Sequence, residues 1–230
     1  MTHGPIMLAA ITLGIVAALP GSSVAQTTRP HPTIGLAAQS YTINADEVDG
    51  TLMAAGVATI IPINSLLDVE AEWLRPAGTV RREYTGVLFS FAEPGATREE
   101  IERMGVVVRT THERRVSSVL SVGAAFHPRR TGSRFEPRAS VGVTTHFVRN
   151  RSLYEPLTWP PSVTRERVFQ AISPVESHNR AIGSLTVGAG VAIDLTEHLV
   201  VLPDLRYDYG SIGDELNNSW RAGAKVLWRF

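Results

Sequence analysis

The 230-residue chain contains no cysteine and a single lysine, Lys225. The absence of cysteine excludes a disulfide framework and thiolate chemistry. The scarcity of lysine leaves arginine as the source of nearly all the positive charge, and the planar guanidinium suits buried, multiply hydrogen-bonded ion pairs. Acidic and basic residues balance at 22 each, so the composition gives no basic character for binding nucleic acid.

Long apolar runs are also scarce, and the notable one lies at the amino terminus over Ile6–Leu19. It is shorter than the ~20 residues that a membrane-spanning helix needs. Ser23-Val24-Ala25 follows it as a small-x-small cleavage site, so residues 1–25 are predicted to be a signal peptide for export through an inner membrane. The first four residues lack Lys and Arg, which leaves a buried or anchoring amino-terminal helix as the alternative.

The remaining chain of roughly 205 residues fits one domain by its length. We predict a flexible lead over residues 26–32 and a single β-domain over residues 33–230. The mean hydropathy of +0.02 is low for a helical membrane protein. It suits a barrel in which lipid-facing and lumen-facing residues alternate, because the average then cancels.

The carboxyl-terminal segment alternates strictly between two kinds of side chain. A strand places alternate residues on opposite faces, so the segment predicts one apolar face and one basic or small face. The apolar parity holds Ala222, Ala224, Val226, Trp228 and Phe230. The other parity holds Arg221, Gly223, Lys225, Leu227 and Arg229.

Similar two-residue periodicity recurs along the chain and predicts eight strands in all. They are Thr33–Tyr41, Thr51–Ile61, a strand around Leu67–Trp73, Glu113–Phe126, Phe135–Phe147, Arg180–Asp194, Val201–Tyr209 and the segment ending at Phe230. Short connections alternate with longer ones, and the two longest cover residues 76–112 and 150–177. Within the first of these, Thr97–Met104 predicts a short helix capped by Thr97 and Glu100.

A strand that ends the chain on Trp228 and Phe230 resembles the closing strand of bacterial outer-membrane β-barrels. The resemblance implies that these two residues belong to the signal read by the barrel-assembly machinery. The strand number and loop rhythm are similar to those of small barrels of the OmpA/OmpX type. The fold class is therefore expected to be all-β, an eight-stranded antiparallel up-and-down transmembrane β-barrel in the bacterial outer membrane. Lys225 departs from the pattern, because the family often has glycine there.

The apolar parity also carries aromatic residues near strand ends. Trp220 and Trp228 are separated by about 20 Å along the barrel axis, for a rise of ~3.3 Å per residue and a tilt near 40°. This spacing predicts an aromatic girdle at each edge of a lipid-facing band, formed by Trp73, Phe135, Phe147, Tyr207, Tyr209, Trp220, Trp228 and Phe230. A soluble, lipocalin-like periplasmic barrel is the alternative, and it requires Val141, Val187 and Leu205 to point inward.

The charged parity is predicted to line the lumen, which in an eight-stranded barrel is just wide enough to be filled by side chains. Buried charges are costly unless they are paired, so we expect an ion-pair network with Arg138, Arg206 and Arg221 as its bridges. The expected members are Glu70, Glu72, Arg138, Asp204, Arg206, Asp208, Arg221 and Lys225. The network either only holds the barrel together or acts as a polar gate.

The expected function is that of a non-enzymatic outer-membrane protein with a structural or surface-interaction role and at most narrow, gated passage of small solutes. No residue pattern predicts a catalytic, cofactor-binding or metal site. The partners expected are outer-membrane lipid, the assembly machinery and an extracellular partner at residues 76–112 and 150–177, with Trp159 as a candidate anchor. A lipid-modifying enzyme is the alternative, and it requires a Ser–His pair within hydrogen-bond reach at the outer leaflet.

Overall fold

The computed structural model describes residues 31–44, 48–127, 134–210 and 218–230. The predicted signal peptide over residues 1–25 and the first part of the lead lie outside the described residues. Within these described ranges, two short helices, α1 (Arg98–Arg103) and α2 (Arg165–Ala171), lie between the strands. No helix in the described part of the chain is long and apolar enough to cross a membrane.

Nine strand segments account for most of the described residues. They are β1 (Thr33–Asn44), β2 (Gly50–Pro62), β3 (Leu67–Ala77), β4 (Val80–Ser90), β5 (Gly105–Phe126), β6 (Phe135–Thr158), β7 (Val175–Asp194), β8 (Leu199–Tyr209) and β9 (Asn218–Arg229). All pairings are antiparallel. β1 pairs with β9 from Thr33↔Arg229 to Asn44↔Asn218, which closes the sheet into a barrel.

β3 and β4 together form one side of the barrel wall, because both pair with the long strand β5. β3 lies along the second half of β5, from Leu67↔Phe126 to Leu74↔Val119, and β4 lies along the first half. Gly78 separates them with a φ of 98°, a backbone conformation that favours glycine. β3 and β4 therefore share one position in the wall, and the barrel has eight antiparallel strand positions in up-and-down order, as the periodicity predicted.

The two ends of the barrel differ. One end of the barrel holds the turns β2–β3 and β7–β8, the end of β5 and the start of β6. β1 begins there and β9 ends there, and we call it the turn end. At the opposite loop end, β4 and the adjoining parts of β5, β6 and β7 continue past the other strands. We call this extension, residues 80–114 and 150–178, the projection.

The prediction of long loops over residues 76–112 and 150–177 was wrong in part, since most of these residues are paired strand. The alternation was not recognised there because β4 is exposed along nearly all its length and lacks a purely apolar face. The predicted helix is confirmed. The Thr97 hydroxyl accepts a hydrogen bond from the Glu100 backbone N–H, and the Glu100 carboxylate accepts one from the Thr97 backbone N–H, which is a capping box.

The faces of the wall distinguish a membrane barrel from a soluble one. Val141, Val187 and Leu205 are 46%, 38% and 48% exposed and point away from the lumen. Arg221 and Lys225 on β9 are 0% and 1% exposed and point into it. The soluble lipocalin-like alternative required the reverse arrangement, so it is wrong.

Glycine on the inner wall lets neighbouring backbones approach closely. A Cβ added to Gly223 would lie 2.1 Å from the Ala38 carbonyl oxygen and 2.6 Å from Gln39 Cα. A Cβ at Gly142 would lie 2.4 Å from the Val122 carbonyl oxygen. These obstacles are backbone atoms, which move only if the strands separate, so a narrow barrel requires glycine here.

Gly223→Ala is expected to lower the free energy of unfolding by about 1–3 kcal/mol or more, because the added methyl group forces β1 and β9 apart. Ala222→Val is the matched control, since Ala222 is the adjacent, outward-facing residue of the same strand. Urea titration of the two variants in detergent micelles, followed by tryptophan fluorescence, makes the comparison. Equal stability of the two variants would contradict the close approach.

Candidate functional site

Arg221 lies at the centre of the ion-pair network in the lumen and is fully buried. Its Nη1 donates to Glu72 at 2.8 Å, and its Nε and Nη2 donate to the two carboxylate oxygens of Asp208 at 3.0 and 2.9 Å. Nη2 also donates to the Thr144 hydroxyl at 3.1 Å. Asp208 accepts further hydrogen bonds from Thr186 and Ser219 at 2.7 and 3.0 Å. This arrangement satisfies a buried guanidinium from three strands at once.

A second group of charges lies nearer the turn end. Arg206 bridges Glu70 at 2.5 Å and Asp204 at 2.8 Å. Lys225, the chain's single lysine, bridges Asp204 at 2.6 Å and Glu72 at 3.0 Å. Because Glu72 also binds Arg221, the two groups form one continuous network across the barrel.

A third group completes the network at the turn end, where the predicted Arg138 meets three residues outside the predicted set, Asp68, His127 and Glu136. Arg138 binds Glu70 at 3.2 Å, and it also binds Asp68 at 2.6 Å. Asp68 in turn contacts His127 at 3.2 Å, and His127 contacts Glu136 at 2.8 Å. The structure thus places all eight predicted lumen residues in contact with other charges of the same network.

His127 lies in the turn after β5, beyond the strand. Burial disfavours its protonation, but hydrogen bonds and charge interactions with Asp68 and Glu136 outweigh burial and raise the pKa of His127 to about 9. The protonated imidazole therefore supplies a positive charge between two carboxylates at neutral pH.

Apolar layers lie towards both ends of the charged network, and the one at the turn end is level with part of it, because Ile60 faces Glu70 and Leu202 faces Lys225 on neighbouring strands. These buried side chains follow the inward parity but are aliphatic or aromatic, so they fill the lumen without joining the ion pairs. The layer at the loop end includes Tyr41, Ile43, Leu52, Leu74, Val80, Val116, Val119, Val148 and Ile182. The layer at the turn end includes Ala37, Ala58, Ile60, Ala192, Val200, Leu202 and Leu227.

A void of about 10 Å³ lies beside the network, and its lining includes Glu70, Thr186 and Arg206. That volume is about what one water molecule occupies. Side chains therefore fill this part of the lumen almost completely. The arrangement has the chemistry of a structural plug, because its charges bind one another instead of facing an open path.

The predicted aromatic residues lie on the outer wall, most of them well exposed. Trp228, Phe135 and Phe230 lie near the turn end, and Tyr209, Trp220 and Phe147 lie towards the loop end. Tyr207 is half-buried against Trp220, with ring centroids 4.4 Å apart. Trp73 lies between Val57 and Leu120 on the neighbouring strands. Exposed aliphatic residues separate the two ends: Val122, Val141, Val143, Leu185, Val187, Leu205 and Val226.

The projection has a small hydrophobic core of its own. Val106 and Val108 of β5 pack with Val163, Val168 and Ile172 from the segment that contains α2. Aromatic residues flank this core: Phe89, Phe91, Tyr154 and Trp159. Trp159 is thus partly buried against the projection instead of standing free as an anchor, and the Pro-rich segment folds back onto the sheet.

Two Ser–His contacts occur in the described residues that bear on an enzymatic function. Ser152 Oγ lies 2.9 Å from His112 Nδ1 in the projection, and Ser184 Oγ lies 3.0 Å from His146 Nε2 inside the lumen. Ser152 is paired on both sides, with His112 and with Glu176, so the sheet ladders occupy the backbone where an oxyanion would need free N–H donors. The other pair is enclosed, because His146 is 1% exposed.

The structure is similar to several solved structures of bacterial surface and outer-membrane proteins, each at low sequence identity. Neisserial surface protein A is 12% identical, with a TM-score of 0.48 over 86% of this chain and 97% of its own. OprG from Pseudomonas aeruginosa is 12% identical, with a TM-score of 0.47 over 87% and 96%. Ail from Yersinia pestis is 12% identical, with a TM-score of 0.44 over 86% and 99%.

No protein-family model matches the sequence, and no curated protein matches it. Because the structural similarities have TM-scores below 0.5, the architecture rests on the strand pairing of the chain itself. The similarities carry no conclusion about activity, ligand or partner.

Arg221→Met is expected to lower the free energy of unfolding by about 3–5 kcal/mol, because Glu72 and Asp208 lose their shared counter-charge in a buried site. Arg229→Met is the matched control on the same strand. Arg229 pairs with Asp194 where both side chains are partly exposed, so its loss should cost under about 1 kcal/mol. Urea titration in micelles measures both, and similar costs would contradict a buried network.

The raised pKa of His127 predicts a specific pH dependence of stability. A group whose pKa is higher in the folded state stabilises that state fully below its unfolded pKa, about 6.5, and loses the contribution as pH rises through the folded value. The free energy of unfolding should therefore fall between pH 6.5 and about 9. His127→Gln should flatten this slope, whereas His178→Gln, at an exposed position, should keep it. An unchanged slope in His127→Gln would refute the assignment.

Proposed function

We propose that this protein is a non-enzymatic integral protein of the bacterial outer membrane, with a closed structural lumen and an extracellular projection that carries its interactions. The main support for this proposal is that the outer wall is apolar while ion pairs fill the lumen. The termini and short turns then face the periplasm, and the projection faces the outside of the cell.

The outer wall supports the membrane position. Aliphatic side chains are exposed around the middle of the barrel, with aromatic rings towards each end. A monomeric soluble protein rarely exposes a continuous apolar surface of this kind. In a bilayer the same surface meets hydrocarbon, and the rings lie at the interfaces with water. Trp228 and Phe230 are proposed to act in recognition by the assembly machinery.

The lumen supports a structural role instead of conduction. Transfer of a solute would require breaking several buried ion pairs at once, and each broken pair leaves an uncompensated charge. It would also require displacing the apolar layers at both ends of the network. These contacts therefore favour a network that holds the barrel together over the polar gate that the sequence left as the alternative.

The projection supports a role in surface interaction. It is a folded sheet with its own core, and β4 is the terminal strand of the ladder, paired with β5 alone over most of its length. Tyr84, Val87 and Leu88 on β4 are about half exposed. An exposed edge strand with apolar side chains offers backbone hydrogen bonds and contact area to a partner.

Brominated phospholipids test the membrane position, because bromine quenches tryptophans that lie among acyl chains. The protein has four tryptophans, so each can be kept alone by Trp→Phe substitution of the others. The variant retaining Trp73, in the middle of the wall, should be quenched most strongly in brominated bilayers, and the variants retaining Trp220 or Trp228, near its edges, less strongly. The variant retaining Trp159, in the projection, is the control and should be quenched weakly. Weak quenching of all four variants would contradict membrane insertion.

Val168→Asp tests whether the projection folds as a separate unit on the barrel. Val168 is 0% exposed in the small core, so a buried carboxylate there should unfold the projection and increase its amide hydrogen exchange. Phe169→Asp is the matched control, because Phe169 is the neighbouring residue and is 42% exposed. A folded barrel and its boiled, unfolded form migrate differently in a gel. This shift in migration on boiling should persist in both variants. Loss of the shift in Val168→Asp alone would contradict an independent projection.

A further inference from the structure

The outer face of β5 and β6 carries three cross-strand pairs that involve arginine, and two of them are balanced. Arg109 lies opposite Glu155 with a contact of 3.1 Å. Glu113 lies opposite Arg151 with a contact of 3.8 Å. Opposite charges on facing strands stabilise a sheet, so the projection neutralises its own outer face at these two positions.

The third pair, at the base of the projection, is unbalanced. Arg115 lies directly opposite Arg149, and both side chains are exposed. Residues directly opposite have Cβ atoms about 4.5–5.5 Å apart, and like charges there are destabilising. Arg149 Nε donates to the Ser177 hydroxyl at 3.3 Å. Among the residues that the structure describes, neither arginine forms an ion pair with a carboxylate.

A β-bulge lies immediately below the two arginines. The register between β5 and β6 shifts between Val116 and Ser118, and the extra residue, Ser117, donates to the Phe147 carbonyl at 3.0 Å. The shift reverses the parity of β5, so that Arg115 faces outwards on one side of the bulge and Leu120 and Val122 face outwards on the other. Bulges re-aim side chains and are common beside functional sites.

An open groove of about 540 Å³ follows this bulge on the outer wall. Its lining includes the two arginines together with Asn179, which faces Arg149 from β7. Phe147 and Ala181 complete its lower part, next to the exposed aliphatic band. One part of the groove is thus cationic and the other is apolar.

We propose that Arg115 and Arg149 bind the phosphate of a phosphorylated glycolipid in the outer leaflet. This inference rests on the membrane position proposed above, which puts the groove at the level of the lipid headgroups. A phosphate monoester carries a charge of about −1.5 to −2, which balances two guanidiniums. Arginine binds phosphate through paired hydrogen bonds, and Asn179 adds a donor. Phe147 and Ala181 then contact the first part of the acyl chains, and the groove volume exceeds the need of a phosphate alone.

Diphosphoryl lipid A, retained on the detergent-solubilised protein and quantified by native mass spectrometry, tests the site. The double variant Arg115→Gln/Arg149→Gln should lose affinity by about tenfold or more. Arg109→Gln/Arg151→Gln is the matched control, because it removes the same charge from the same face at positions that have carboxylate partners. It should change the affinity by less than about twofold.

Equal loss in the two double variants, or no loss in the first, would overturn the site. Inorganic phosphate at millimolar concentration should leave lipid A bound, and its displacement by phosphate would assign the site to a soluble anion. The gel shift on boiling, measured for each protein after reconstitution into bilayers, separates the two proposals. Failure of the unsubstituted protein to insert overturns the membrane position, whereas insertion without headgroup selection overturns the lipid site alone.

Discussion

Pairing of buried charges in the lumen is the constraint on which the barrel depends. Five inward-facing carboxylates, on Asp68, Glu70, Glu72, Asp204 and Asp208, are almost completely enclosed. Burial of these carboxylates is tolerated because an arginine, a lysine or a histidine lies in direct contact with each of them. Arg221 shows the principle most clearly, since its guanidinium joins carboxylates of β3 and β8 from its own position on β9. The same contacts join β3, β6, β8 and β9 across the lumen.

A lumen occupied in this way moves function to the outside of the molecule. Buried apolar side chains fill the lumen around the network, and the close backbone approach at Gly223 and Gly142 leaves little space for rearrangement. What remains available to other molecules is the outer wall and the projection. In the proposed membrane position the outer wall meets lipid, with the Arg115–Arg149 pair at its upper edge. The projection presents the edge of β4 and the exposed faces of its sheet.

Much of the barrel could be predicted from the sequence because alternation reports directly which face is apolar. In β9 the pattern from Arg221 to Phe230 is nearly perfect, and the lumen charges were identified from it and from similar patterns in β3, β6 and β8. The prediction failed where the inward face is itself apolar. Leu74, Val116, Val148 and Ile182 line the lumen, so no contrast between the faces signals their position. Asp68 and His127 were missed as network members because their contact depends on the start of β3 pairing with the end of β5, which the sequence does not indicate.

The strands of the projection were also not predicted from the sequence, and the reason is again physical. Polar side chains occupy both faces of β4, so its sequence resembles a loop, and only pairing with β5 makes it a strand. The bulge at Ser117 has no residue signal of its own, because it arises from the mismatch between two paired strands.

The single lysine allows the central claim to be tested directly. Lys225 is 1% exposed and its amine binds Glu72 and Asp204, so an amine-reactive ester should not modify it in the folded protein. Tryptic mapping reads the result, because modification of Lys225 blocks cleavage after it and joins residues 222–225 to 226–229 in one peptide. Lys225 should stay unmodified in the folded barrel and should be modified completely in urea. Rapid modification in the folded, bilayer-inserted protein would show an open lumen and contradict the account.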